Sequence, residues 1–244
     1  MIILEVVLVL GLSLGQSTVY AIVSLLRALA RGPLSGQSAS LNTSQDTSPW
    51  WDLLYQLLGI TFTLVPVGLA LYLLALTAGS WRGGLWQIGL DLTRPMKDLA
   101  HGLLLLVGIG IPGLAFYYLG RAIGATVEVI PAALDQHWWT ISVLVLQAIK
   151  NAVLEEVIVV GYLMRRLDRL GLRPSTVLII SAVLRGSYHL YQGVGPGFAN
   201  LVMGLVFGAY FRRTGRVLPL IVVHTLLDVF AFVGYALLKD VLPL

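Results

Sequence analysis

A chain of 244 residues that is 57% hydrophobic and 11% charged holds more apolar side chain than a soluble domain can bury, since such domains are about 25% charged. That excludes a water-soluble fold, and the absence of cysteine excludes disulfides, thiolate metal sites, cysteine nucleophiles and lipid anchors on cysteine. The net charge of +4 sits mostly in short loops beside apolar runs, where Lys and Arg orient a membrane protein; it gives no support to nucleic-acid binding.

The apolar residues gather in runs of roughly 20, the length at which a helix crosses about 30 Å of hydrocarbon. Spans are expected at about 2–26, 52–78, 98–119, 138–164, 175–191, 196–211 and 217–238. The expectation is an all-α, polytopic membrane bundle of about seven transmembrane helices, one domain over 1–244. The first run lacks a basic start and a cleavage site, carries Glu5, and reads as a retained helix rather than a signal peptide. Residues 32–50, rich in Ser, Thr, Gln and Asn, read as a flexible polar loop. Gly204 and Gly208 have the spacing that lets helices pack closely.

With the amino terminus in the cytoplasm, Arg82, Arg94, Lys97, Arg165, Arg166, Arg169, Arg173, Arg212, Arg213 and Arg216 fall inside, and Arg27, Arg31, Arg121 and Lys239 outside. Ten against four favours that orientation, with the plasma membrane of a prokaryote as the expected location.

Ionisable groups deep in a bilayer cost about 2.5 kcal/mol or more each, so they face the bundle interior and mark function. Lys150, Glu155 and Glu156 fall in the fourth span, Arg185 and His189 in the fifth, His224 and Asp228 in the seventh. Residues four apart share a helix face, so Arg185 stands with His189 and His224 with Asp228. Asn151 lies one turn before Glu155 and is placed to orient it, while Lys150 either snorkels or pairs with Glu155. A carboxylate beside a histidine is the minimal apparatus for activating water, and a second histidine can stabilise the oxyanion of an attacked carbonyl. Counted from the basic loops, Glu155, His224 and His189 lie on the order of 14, 10 and 21 Å deep, a loose agreement.

At these residues the chain resembles the CPBP family, the CAAX-protease and bacteriocin-processing group of intramembrane endopeptidases. The family pattern is E-E-x-x-x-R, then F-x-x-x-H, then H-x-x-x-N or H-x-x-x-D. Here E-E-V-I-V-V runs from Glu155 to Val160, R-G-S-Y-H from Arg185 to His189, and H-T-L-L-D from His224 to Asp228. The likeness covers about 138–238. It implies hydrolysis of a peptide bond in a membrane-bound or lipid-anchored substrate, within a bundle open to the lipid. By this likeness Glu155 is the base for water, His189 positions that water, His224 with Asp228 forms the oxyanion site, and Glu156 supports them.

Two positions depart from the pattern: Val160 replaces the motif arginine, and Arg185 the motif aromatic. The expectation is that Arg185 supplies across a helix interface the charge that Val160 lacks, pairing with Glu156. The resemblance implies no cofactor; the alternative is zinc on Glu155, His189, His224 and Asp228. Two non-protease readings stand beside it. One is an inactive membrane scaffold or subunit that binds a partner protein; the other is a proton-relaying transporter, for which no inverted repeat is seen.

Overall fold

The computed structural model describes residues 1–239. The chain is an all-α bundle. Its helices are α1 (Ile2–Gly11), α2 (Leu14–Arg31), α3 (Pro49–Thr63), α4 (Val65–Ala78), α5 (Trp81–Gln87), α6 (Pro95–Ala122), α7 (Thr140–Glu155), α8 (Leu163–Arg169), α9 (Pro174–Tyr188), α10 (Val194–Thr214) and α11 (Leu218–Leu238). A π-helix, Glu156–Tyr162, joins α7 to α8 without a break.

Among the described residues four helical stretches are long and apolar enough to cross a membrane: Pro49–Ala78, Pro95–Ala122, Val194–Thr214 and Leu218–Leu238. The pair α1 and α2, bent by 54°, makes a fifth if it counts as one broken span. The expected spans at 138–164 and 175–191 do not qualify. Residues 140–169 run helical for about 45 Å but carry Lys150, Glu155 and Glu156, and α9 at 15 residues reaches only about 22 Å. Every residue of the π-helix is buried, whereas only 6% of the most apolar stretch of α6 is. The charge-bearing segment is wrapped by protein, and α6 meets lipid.

Close approach of α9 and α10 rests on glycine. A methyl group at Gly204 would lie 2.8 Å from the Ala182 Cα and 3.2 Å from the Arg185 Cδ, so only glycine lets the two helices meet beside that arginine.

One end of the bundle gathers the basic loops. Arg165 donates to the Gln87 carbonyl at 2.8 Å, Arg212 pairs with Asp168 at 2.7 Å, and Arg216 bridges Asp91 at 3.1 Å and Asp98 at 2.7 Å. Arg166 is different from its nine companions: it is fully buried and paired with Glu5 of α1 at 2.6 Å, tying the first helix to α8. Burial pushes the Asp91 carboxyl up, but the Thr93 hydroxyl and Arg216 outweigh it and hold the pKa at about 2. A depressed carboxylate stabilises the fold above its unfolded pKa of about 4 and ceases to as pH falls through 2. Acid titration in detergent should therefore show the Asp91 contribution vanishing between about pH 4 and pH 2, and Asp91→Asn should remove that component.

Residues 32–50 are more structured than a flexible loop. Strand β1 (Ser38–Ser40) pairs in parallel with β2 (Glu128–Ile130), and Thr43 bridges Ala133. Below this cap a buried polar row joins α3 to α7. Gln56 donates to Asp52 at 3.1 Å, Gln147 to Gln56 at 3.0 Å, and Lys150 to Gln147 at 2.7 Å. Lys150 is thus bonded to Gln147 rather than to Glu155. Gln147→Leu strips both neighbours of a partner, and thermal unfolding in detergent should register a loss of about 1–3 kcal/mol.

Candidate active site

The site forms where the end of α7, the start of the π-helix, α9 and α11 meet. An α-helix turns about 100° per residue, which sets Glu155 and Glu156 on adjoining faces. The π-helix that begins at Glu156, an element often found at functional sites, keeps its whole circumference buried. Glu156 is 0% exposed, while the Glu155 side chain keeps 11%.

Arg185 is the hub, itself fully buried over the Phe207 ring. Its Nη1 donates to Glu156 Oε1 at 2.8 Å, and its Nη2 lies 3.3 Å from Glu155 Oε2. The pairing expected from the Val160 and Arg185 exchange is therefore present. Val160 lies fully buried in the π-helix.

His224 Nδ1 lies 2.7 Å from Glu156 Oε1 and 3.2 Å from Arg185 Nη2. The shorter contact, to a carboxylate that can only accept, assigns the Nδ1 proton to Glu156 and leaves Nε2 for another partner. Asp228 does not take it: Oδ1 stands 3.8 Å from Nε2, beyond hydrogen-bond range. Asp228 instead accepts from Asn151 at 3.0 Å, so Asn151 orients Asp228 rather than Glu155.

His189 sits just past the end of α9. Its Nδ1 contacts the Arg185 carbonyl at 3.0 Å and its ring packs on Tyr188. Among the described residues it makes no hydrogen bond to Glu155, Glu156 or His224. Tyr188, not singled out in the sequence, donates its hydroxyl to Glu155 Oε2 at 2.8 Å from a buried position. The signal was its spacing, three residues after Arg185 on the same helix face.

Among the described residues, the group whose side chains could share a metal ion is Glu155, Glu156 and His224, each with a ligand atom within 4.8 Å of the others. Of the four alternative zinc ligands, only Glu155 and His224 belong to it. Glu156 Oε1 and His224 Nδ1 are engaged with each other, and Arg185 already brings positive charge into that group.

Residues 137–230 match the family described as type II CAAX prenyl endopeptidase Rce1-like. That stretch, less than half of the chain, contains all the site residues named above. No curated protein and no solved structure matches. The match bears out the resemblance drawn from the three motifs. At family level this stretch is similar to CAAX-type intramembrane proteases, and with its apolar helices the chain is an integral membrane protein.

Proposed function

We propose that the protein is an intramembrane endopeptidase that cleaves a membrane-associated protein or peptide with water activated by Glu155. The observation that carries this is the asymmetry of the acidic pair: Glu156 is enclosed and engaged, whereas Glu155 has Oε2 held by Tyr188 and Arg185 and keeps 11% of its side chain accessible. A base must meet its water, and Glu155 is the member of the pair that can.

In this reading Glu155 takes a proton from water as the hydroxide oxygen adds to the scissile carbonyl carbon. The carbonyl oxygen becomes an oxyanion, which His224, protonated at Nε2, stabilises from its seat on Glu156. The tetrahedral adduct collapses, the C–N bond breaks, and Glu155 returns the proton to the leaving amine. His189, at the rim, helps to place the water. Asp228, held by Asn151, sits on the Nε2 side of His224 and completes the polar wall.

The mechanism is read without metal, because the Arg185 guanidinium and the His224 imidazolium together already balance the two carboxylates. Zinc on Glu155, Glu156 and His224 is the second reading, since one ligand atom of each lies within reach of a single ion. The ten-cation end is assigned to the cytoplasm of a prokaryotic cell. Comparing the proteins of membranes that carry wild type or Glu155→Gln tests the function. A cleavage product should be present only with wild type; identical profiles would favour an inactive scaffold.

A further inference from the structure

Peptide hydrolysis requires an extended backbone, and the cap over the end of α9 offers one a place to dock. Within β1 and β2, Ser38 lies opposite Glu128, Ala39 opposite Val129 and Ser40 opposite Ile130. Glu128 N–H donates to the Gln37 carbonyl and Leu41 N–H to the Ile130 carbonyl, each at 2.8 Å. In a parallel pair only alternate residues turn their main chain toward the partner. Residues 37, 39 and 41 therefore face β2, and the N–H and C=O groups of Ser38 and Ser40 point the other way. Both serines are exposed, and this edge has no backbone partner among the described residues. The far edge of β2 is closed by contrast: Val127 N–H donates to the Gln192 carbonyl and Val129 N–H to the Tyr117 hydroxyl.

A cleft of about 220 Å³ adjoins the open strand, bounded by Arg27, Arg31, Ser38, Ala39, Val127 and Tyr191. Arg27 and Arg31 stand one turn apart on α2, both exposed, and neither forms an ion pair among the described residues. Tyr191 belongs to the turn Leu190–Gln192, which comes directly after His189 and packs against β1. The cleft thus leads from a free strand edge, past two uncompensated cations, to the residues beside the candidate active site.

We propose that the outer edge of β1 binds an extended, acidic segment of the peptide substrate by strand addition. Main-chain bonds to Ser38 and Ser40 supply sequence-tolerant affinity. Alternate side chains of the added strand lie on the Ala39 side, where carboxylates meet Arg27 and Arg31. The inference rests on the protease reading for the fate of the bound segment, but binding itself is measured without catalysis.

The test uses full-length Glu155→Gln protein in phosphatidylcholine nanodiscs and a fluorescein-labelled peptide of alternating Glu and Thr, monitored by anisotropy. Proline is tolerated on an edge where its missing N–H faced outward, so Ser40→Pro should leave the thermal unfolding midpoint in place. It should raise Kd roughly tenfold, about 1.4 kcal/mol, and Arg27→Gln with Arg31→Gln should do at least as much. Methylating alternate backbone nitrogens of the peptide, which leaves the protein untouched, should abolish binding. No binding by the acidic peptide, equal binding of its methylated form, or a Kd indifferent to Ser40→Pro would overturn the proposal. So would competition by phosphatidylglycerol combined with indifference to Ser40→Pro, which would mark the arginines as a lipid-headgroup site. Edge-dependent binding with no cleavage by wild type would refute the protease reading alone; cleavage with no edge dependence would refute only the docking.

Discussion

Arg185→Phe abolishes activity and lowers stability by about 3–5 kcal/mol, the usual result of stranding one partner of a buried ion pair. The guanidinium is 0% exposed and lies against both carboxylates, at 2.8 Å from Glu156 and 3.3 Å from Glu155. Without it, Glu156 has no cation except His224, and the histidine can compensate only by staying protonated. Two second-site changes divide the loss. Glu156→Gln in the Arg185→Phe background removes the stranded charge and should return much of the stability, but no activity, because His224 loses the carboxylate that orients it. Val160→Arg in the same background should instead return part of both, because Val160 lies four residues beyond Glu156 on the segment that bears it. Melting in detergent read alongside a cleavage assay separates the two; a double variant with Val160→Arg that is as inactive as Arg185→Phe would show that the exchange is not compensatory.

The Glu156 pairing was legible in the sequence because a missing arginine and an added one are a charge balance, and buried charge must balance wherever the backbone goes. The same reasoning could not assign hydrogen bonds within the cluster. His224 and Asp228 share a helix face by spacing, yet His224 turns to Glu156, because a carboxylate beside a guanidinium is nearer than one a turn away. Spacing along one helix says which residues are neighbours, not which partner on another helix comes closer.

Span counting recovered the long apolar helices, and two expected spans fall below that measure for a related reason. Apolar length identifies helices that face lipid, as at Pro95–Ala122. The π-helix is enclosed by its neighbours and so is free to carry charge, and α9, at 15 residues, is short for a span. The pairing of 38–40 with 128–130 was invisible too: three-residue strands joined across some ninety positions leave no periodicity for a local pattern to detect. Arg166 was counted with the loop cations because it sits among them in sequence; its partner, Glu5, comes from the other end of the chain.

Glu155→Gln should lower the rate of peptide cleavage by about 10²–10⁴, the range general-base catalysis contributes, while stability changes little. The amide is nearly isosteric, and its oxygen can still accept from the Tyr188 hydroxyl. Arg185 keeps Glu156 as its nearer counter-ion, so no buried charge is stranded. Glu156→Gln is the informative contrast: its carboxylate is fully enclosed and engages both Arg185 and His224, so it should lose stability and activity together. Thermal unfolding and single-turnover cleavage on both variants distinguish a base from a packing group. If Glu155→Gln destabilised the bundle as much as Glu156→Gln does, or cleaved as fast as wild type, Glu155 would not be the base. A water-activating carboxylate has to be the member of the pair that the fold can spare and the reaction cannot.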